Sequence, residues 1–148
     1  MVECGKIERC WEYETLTRIW FEAVKVTHDF LSREDIDFYR ARIPHDYMLN
    51  VELYALRDEV GNLCAFIGLS AGMIEMLFVH PRVMGKGYGS ALLLFAVRDK
   101  GVRKVDVNEQ NCRALEFYQR HGFAVVGRDD IDSEGKPYPI LHLELETL

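Results

Sequence analysis

Apolar positions along this chain follow two periods, and the switch between them divides it. Residues 14–26 carry Leu16, Ile19, Trp20, Ala23 and Val24 at helical spacing, which predicts an amphipathic helix. Ser32, with Asp35 three residues on, reads as the N-cap of a second helix through Phe38, Tyr39 and Ile43, which Pro44 ends or bends. A short strand is predicted ahead of both, at residues 4–8. The pattern then changes to short apolar runs bounded by turn residues. Residues 51–56 and 63–69 read as strands joined by Asp58-Glu59-Val60-Gly61-Asn62, and Gly68-Leu69-Ser70-Ala71-Gly72 turns the chain into a third strand, Met73–Val79. Three strands in this order make an antiparallel meander.

Beyond the meander a glycine-rich loop leads into a helix that runs to about residue 100, followed by a strand at 103–107. A last helix over 111–120, stopped by Gly122, precedes two strands around the turn Asp132-Ser133-Glu134-Gly135-Lys136-Pro137. The order βαα-βββ-αβ-αββ predicts an α/β fold, a mixed and mostly antiparallel central sheet with helices on both faces. The sequence has no repeat, low-complexity tract or linker, and its 148 residues suit one domain, 1–148, with a sizeable core.

Composition narrows the function classes. The formal charge of −6 argues against nucleic acid and leans towards a cationic or amine-bearing partner. Cys4, Cys10, Cys64 and Cys112 have neither CxxC spacing nor a histidine cluster beside them, which speaks against structural zinc and a disulfide framework. No run reaches the ~18 apolar residues of a membrane span, and the first residues lack the apolar core of a signal peptide. These features predict a cytoplasmic protein with no metal and no membrane partner.

The chemistry concentrates in Val79-His80-Pro81-Arg82-Val83-Met84-Gly85-Lys86-Gly87-Tyr88-Gly89-Ser90. A strand runs into three glycines at alternate positions and then into a helix. Glycines let the backbone approach a ligand closely, while the helix start aims N–H groups and positive dipole at it, the arrangement of a phosphate site. On the last helix Ala114, Phe117, Tyr118 and His121 share one stripe, with Asn111 placed as N-cap. A dinucleotide fold fits this pattern poorly, because one βαβ unit follows the loop and a meander precedes it. The Walker phosphate-loop motif is absent.

Pro81-x-x-x-Gly85-Lys86-Gly87-Tyr88-Gly89-Ser90, followed by Asn108-x-x-Asn111-x-x-Ala114-x-x-Phe117-Tyr118-x-x-x-Gly122-Phe123, resembles the GNAT N-acetyltransferase superfamily, and the element order matches over essentially the whole chain. The resemblance implies an enzyme that moves the acetyl group of acetyl-CoA to an amine in a ternary complex. It implies that Leu77, Phe78 and Val79 pair with the pantetheine arm. Gly85, Lys86, Gly87, Tyr88, Gly89 and Ser90 then hold the pyrophosphate, Asn111 bonds the cofactor near its thioester, and Tyr118 protonates the departing thiolate. One position departs from the family pattern: Met84 stands where Gln or Arg is usual, with Lys86 and Arg82 as substitute polar contacts. Glu75 and Asp106 are the candidate bases, with Glu109 a third choice. His28, Asp29 and Phe30, between the first two helices, are expected on the acceptor side, and Tyr138, between two prolines, on the opposite wall or as a turn anchor. The amine itself is not legible, and dimers are common on this fold. A non-catalytic acyl-CoA-binding or sensor domain is the rival reading, although such a domain has no need of Tyr118.

Overall fold

The computed structural model describes residues 6–146. Its elements are β1 (Glu8–Arg9), α1 (Tyr13–Thr27), α2 (Arg33–Arg42), β2 (Glu52–Arg57), β3 (Leu63–Ser70), β4 (Met73–Val79), α3 (Tyr88–Lys100), β5 (Lys104–Asn108), α4 (Cys112–Arg120), β6 (Phe123–Asp129) and β7 (Ile140–Leu145). They fall into two compact units, Met1–Val102 and Arg103–Leu148. Residues 4 and 5 of the predicted opening strand at 4–8 lie outside the described residues; the pairing present is the two-residue β1, with Glu8 opposite Ala55 and Arg9 opposite Tyr54.

In the first unit the strands run β1-β2-β3-β4, every pairing antiparallel. β3 is buried from Leu63 through Leu69 because helices cover both faces. Leu16, Ile19, Trp20 and Val24 of α1 form one core with Leu53, Ala55, Phe66 and Met76. On the other face α3 packs, with the Phe95 ring edge-on to Tyr54 at 4.8 Å. Periodicity 3.6 on α1 therefore meets periodicity 2 on β2.

α2 is largely polar and fully buries none of its residues, with Ile36 and Tyr39 packed partly buried against the core. It is held at its start by Ser32, whose hydroxyl accepts from the Asp35 N–H at 3.0 Å, and at its side by Arg40 lying 4.0 Å over the Phe21 ring. Pro44 bends this segment and does not stop it. The turn widens over Ile43–Tyr47, so that the Met48 N–H reaches the Ile43 carbonyl, five residues back. A wider turn relieves the clash a proline ring makes with the carbonyl of a normal helical turn.

The meander shows a second adjustment. Gly68 lies inside β3, and the tight turn is Ala71-Gly72, both left-handed at φ 50° and 77°. Gly68 is needed for space: a Cβ there would sit 3.1 Å from Val51 Cγ2 and 3.3 Å from Leu53 Cδ2. Pairing slips beside it, since Gly68 faces Met76 while Leu69 faces Ile74, which leaves Glu75 as the extra residue of a bulge in β4.

The second unit is a three-stranded sheet, β5-β7-β6, again antiparallel throughout. Val105, Val107, Leu141, Leu143 and Leu145 are its buried apolar residues, joined by Phe123 and by Tyr118 of α4. Asn111 caps α4, its side chain accepting from the Ala114 N–H at 3.2 Å. Gly122 then ends the helix region at φ 93°. No helix among the described residues is long and apolar enough to cross a membrane.

Replacing Gly68 with Val should destabilise the protein by about 1–3 kcal/mol, the usual cost of overpacking a tight core. Urea denaturation checks this; an unchanged midpoint would mean that the neighbouring side chains yield freely.

Candidate active site

β4 delivers the chain to a short helical turn, Pro81–Val83, capped by His80, whose Nδ1 accepts from the Arg82 N–H at 3.2 Å. Two left-handed residues follow, Gly85 at φ 77° and Gly87 at φ 96°. Nothing lies within 4 Å of a Cβ built at either position. Backbone conformation therefore demands glycine here, and the space above it is open. The first bond closing α3 runs from the Ala91 N–H to the Gly87 carbonyl at 3.0 Å, so the N–H groups of Tyr88, Gly89 and Ser90 precede the helical ladder. The Tyr88 side chain is buried in the core. It can serve a ligand only through its backbone. Open glycine backbone running into a helix start fits a pyrophosphate, which needs close approach and N–H donors.

The side chains around the loop divide. Arg82 is engaged by Asp58, so it is an ion-pair partner of the β2–β3 connection. Lys86 is exposed and has no such partner among the described residues. Met84 is half-buried, its N–H bonded to the Pro81 carbonyl.

Leu77, Phe78 and Val79 form the end of β4, each half-buried, and face Ile67, Phe66 and Ala65 across the pairing with β3. Beside Phe78 sits His28, which closes α1: its N–H bonds the Val24 carbonyl at 2.8 Å. Its ring lies 5.2 Å from Phe30 and 6.3 Å from Phe78. Only 8% of it is exposed, and burial lowers its pKa to about 4, against a smaller upward pull from Asp29. At neutral pH His28 is therefore uncharged. Asp29 itself is exposed. Glu75 projects from the bulge with an exposed side chain.

In the second unit Tyr118 is 5% exposed, with its ring edge-on to Phe117 at 5.1 Å and Phe123 at 5.7 Å. Its hydroxyl has no partner among the described residues. No side-chain nitrogen or oxygen sealed from solvent lacks a partner there, so the phenol oxygen keeps an outlet. Burial pushes its pKa above the ordinary tyrosine value and keeps the group protonated. Asn111, also buried, spends its side-chain oxygen on the α4 cap.

The candidate bases differ. Glu109 is clamped by Arg128 at 2.6 and 3.1 Å, and that guanidinium holds its carboxyl below the usual range, which suits an ion pair better than a base. Asp106 accepts from His142 Nδ1 at 2.7 Å, and His142 Nε2 donates to Asp129 at 2.7 Å. Both ring nitrogens face carboxylate oxygens, so His142 is an imidazolium spanning three strands. This bridge escaped the sequence reading because it exists only in the register that sets Asp106 opposite His142. Tyr138 is 9% exposed. Its N–H closes on the Lys136 carbonyl at 2.8 Å. Of the two readings of Tyr138, this burial agrees with the turn anchor on the approach to β7.

An open glycine turn between strand and helix, with a protonated phenol on the helix that follows the next strand, belongs to one class of protein. The acetyltransferase (GNAT) domain matches residues 50–125, about half of the chain. This chain belongs to that family and is an N-acetyltransferase. Two curated relatives are the peptidyl-lysine N-acetyltransferases YjaB of Salmonella typhimurium and of Escherichia coli. The first is 36% identical over 89% of this chain and 90% of its own length. The second is 37% identical over 89% of each. The solution structure of apo-form YjaB from E. coli superposes with a TM-score of 0.82 at 36% identity, covering 97% of this chain and 98% of that one. A GNAT protein of Rhodopseudomonas palustris shares the fold at 17% identity, with a TM-score of 0.76 over 99% of both chains.

The His142 bridge makes stability depend on pH. Its two carboxylates raise the histidine pKa above the ordinary 6.5. The stabilisation is therefore complete below the unfolded-state pKa and fades as pH rises through the folded one. His142→Gln should lower the urea midpoint more at about pH 5.5 than at about pH 9. A gap that stays constant or widens in alkali would contradict the bridge.

Proposed function

We propose that this N-acetyltransferase takes its acetyl group from acetyl-CoA and delivers it to lysine side chains of proteins, by direct transfer with both substrates bound. One observation carries the choice of acceptor: the two relatives at 36% and 37% identity over 89% of the chain are both named for peptidyl-lysine. The net charge of −6 agrees with a lysine-bearing partner. The family match over 50–125 runs across the boundary between the two units, which supports one N-acetyltransferase domain over 1–148. Cys10, Cys64 and Cys112 are free thiols, in keeping with a reducing cytoplasm.

Acetyl-CoA supplies the acetyl group as an activated thioester. The backbone from Gly85 to Ser90 receives the pyrophosphate, and Lys86, the cation there without an ion-pair partner, supplies the charge that Met84 lacks. The backbone of Leu77, Phe78 and Val79 holds the pantetheine arm, and the amide of Asn111 steadies the thioester end. Tyr118 holds a proton for the departing thiolate. A phenol near pKa 10 is fully protonated at pH 7, and burial raises it further, so the proton is in place before the bond breaks. Glu75 is the stronger candidate for taking the proton of the acceptor ammonium, directly or through water. It stands with an exposed side chain on the bulge in the pairing of β4 with β3, while Asp106 is hydrogen-bonded to His142.

A domain that only binds acyl-CoA is the second reading, and Tyr118 separates the two. Tyr118→Phe should reduce release of CoA with a lysine peptide by roughly ten-fold or more while leaving acetyl-CoA affinity unchanged, given general-acid contributions of ~10²–10⁴. Turnover equal to wild type would remove Tyr118 from the chemistry. No turnover by the wild type on any lysine peptide would leave the binding domain.

A further inference from the structure

α1 ends in a hydrogen-bond chain that fixes where the imidazole proton of His28 sits. The Thr27 hydroxyl donates its one proton to the Ala23 carbonyl at 2.9 Å, a group that can only accept. The same oxygen lies 2.7 Å from His28 Nδ1. With its proton already committed, the hydroxyl can meet Nδ1 only as an acceptor, so Nδ1 carries the hydrogen and Nε2 is a bare lone pair. Nε2 has no partner among the described residues. His28 is more than nine-tenths buried, yet no solvent-sealed nitrogen or oxygen there lacks a partner. Nε2 therefore keeps contact with solvent, and the rings of Phe30 and Phe78 lie beside the imidazole.

We propose that His28 Nε2 accepts a hydrogen bond from the nitrogen of the acceptor amine, and that Phe30 and Phe78 receive the alkyl chain carrying it. This deepens the proposed function and rests on it. The chemistry selects the ligand class. A lone pair on an imidazole flanked by aromatic side chains complements an alkylamine, which offers N–H donors to the nitrogen and methylenes or positive charge to the rings. A carboxylate or phosphate offers neither, and it would meet both the lone pair and the neighbouring Asp29. Phe78 also belongs to the strand assigned to the pantetheine arm, so an amine held here lies beside that strand. His28 orients the nucleophile and does not deprotonate it. Burial disfavours the imidazolium too strongly for a neutral-pH base, and for the same reason the ring never repels an incoming ammonium.

The test uses protein labelled with nitrogen-15 at histidine and Nα-acetyl-lysine amide as probe, in the presence of CoA. Long-range nitrogen–proton spectra of the free protein should show a pyridine-like Nε2 and a protonated Nδ1 at His28. Saturation with the probe should move the Nε2 resonance and leave Nδ1 in place. In parallel, acetylation of the probe is followed by CoA release. A shift without acetylation keeps the amine site and overturns the proposed function. Acetylation without a shift keeps that function and overturns the site, and neither signal overturns both. Thr27→Val, which strands the Nδ1 proton, should raise the KM for the probe roughly five- to ten-fold and leave that for acetyl-CoA alone. Thr27→Ser, which keeps the hydroxyl, should behave as wild type. Equal effects of Val and Ser, or equal changes in both KM values, would contradict the assignment.

Discussion

The passage from β4 into α3 requires left-handed backbone at Gly85 and again at Gly87, and the first unit depends on it. A side chain at such a position costs about 1–2 kcal/mol, and two are used within three residues. Crowding is not the reason, because the space around both Cβ positions is open. The same two torsions lead from the Pro81–Val83 turn into α3, whose Leu92, Leu93 and Ala96 are buried in the core. They also set the N–H groups of Tyr88, Gly89 and Ser90 ahead of the first bond that closes the helix. Folding and the proposed anion binding thus draw on one local conformation. In that proposal Met84 in place of a polar residue leaves the cradle intact, because the donors are main-chain groups and only a side-chain contact is exchanged.

Two histidines show how environment assigns opposite roles to one side chain. His28 is enclosed by aromatic rings and ordered by a hydroxyl whose own proton is committed, so it is neutral with a defined tautomer. His142 stands on a half-exposed sheet face between two carboxylates, so it is charged and ties β5, β7 and β6 together. Desolvation governs the first and ion pairing the second. The consequence for chemistry is direct. Asp106 belongs to a structural bridge, while Glu75 stands exposed on its bulge, which is why the proposed base is Glu75. Tyr118, the proposed proton donor, is buried and protonated.

Much of this was legible in the sequence because it is written in local rules. The amphipathic stripe of α1, the caps at Ser32 and Asn111, the left-handed Gly122 and the glycine loop each depend on residues a few positions apart. The tandem spacing from Pro81 to Gly122 then identified the family. What escaped depends on partners distant in the chain. The bridge of Asp106 and His142 needs strand register, and the capture of Arg82 by Asp58 needs the β2–β3 connection folded back towards the loop. Gly68 read as a turn residue, since composition cannot separate a glycine kept for torsion from one kept for space. The burial of Tyr138 was not legible, because its flanking prolines describe stiffness and not enclosure. Pro44 bent its helix because a widened turn accommodated the ring, a solution that residue type alone does not announce.

The central claim is that the glycine turn receives acetyl-CoA, and calorimetric titration tests it most directly. The protein should give saturable heat with acetyl-CoA at sub-millimolar concentration and none with NADH, which shares the adenosine and pyrophosphate but not the pantetheine thioester. No saturable binding of acetyl-CoA, or equal binding of both ligands, would contradict the assignment of this turn and of β4 to the acetyl donor.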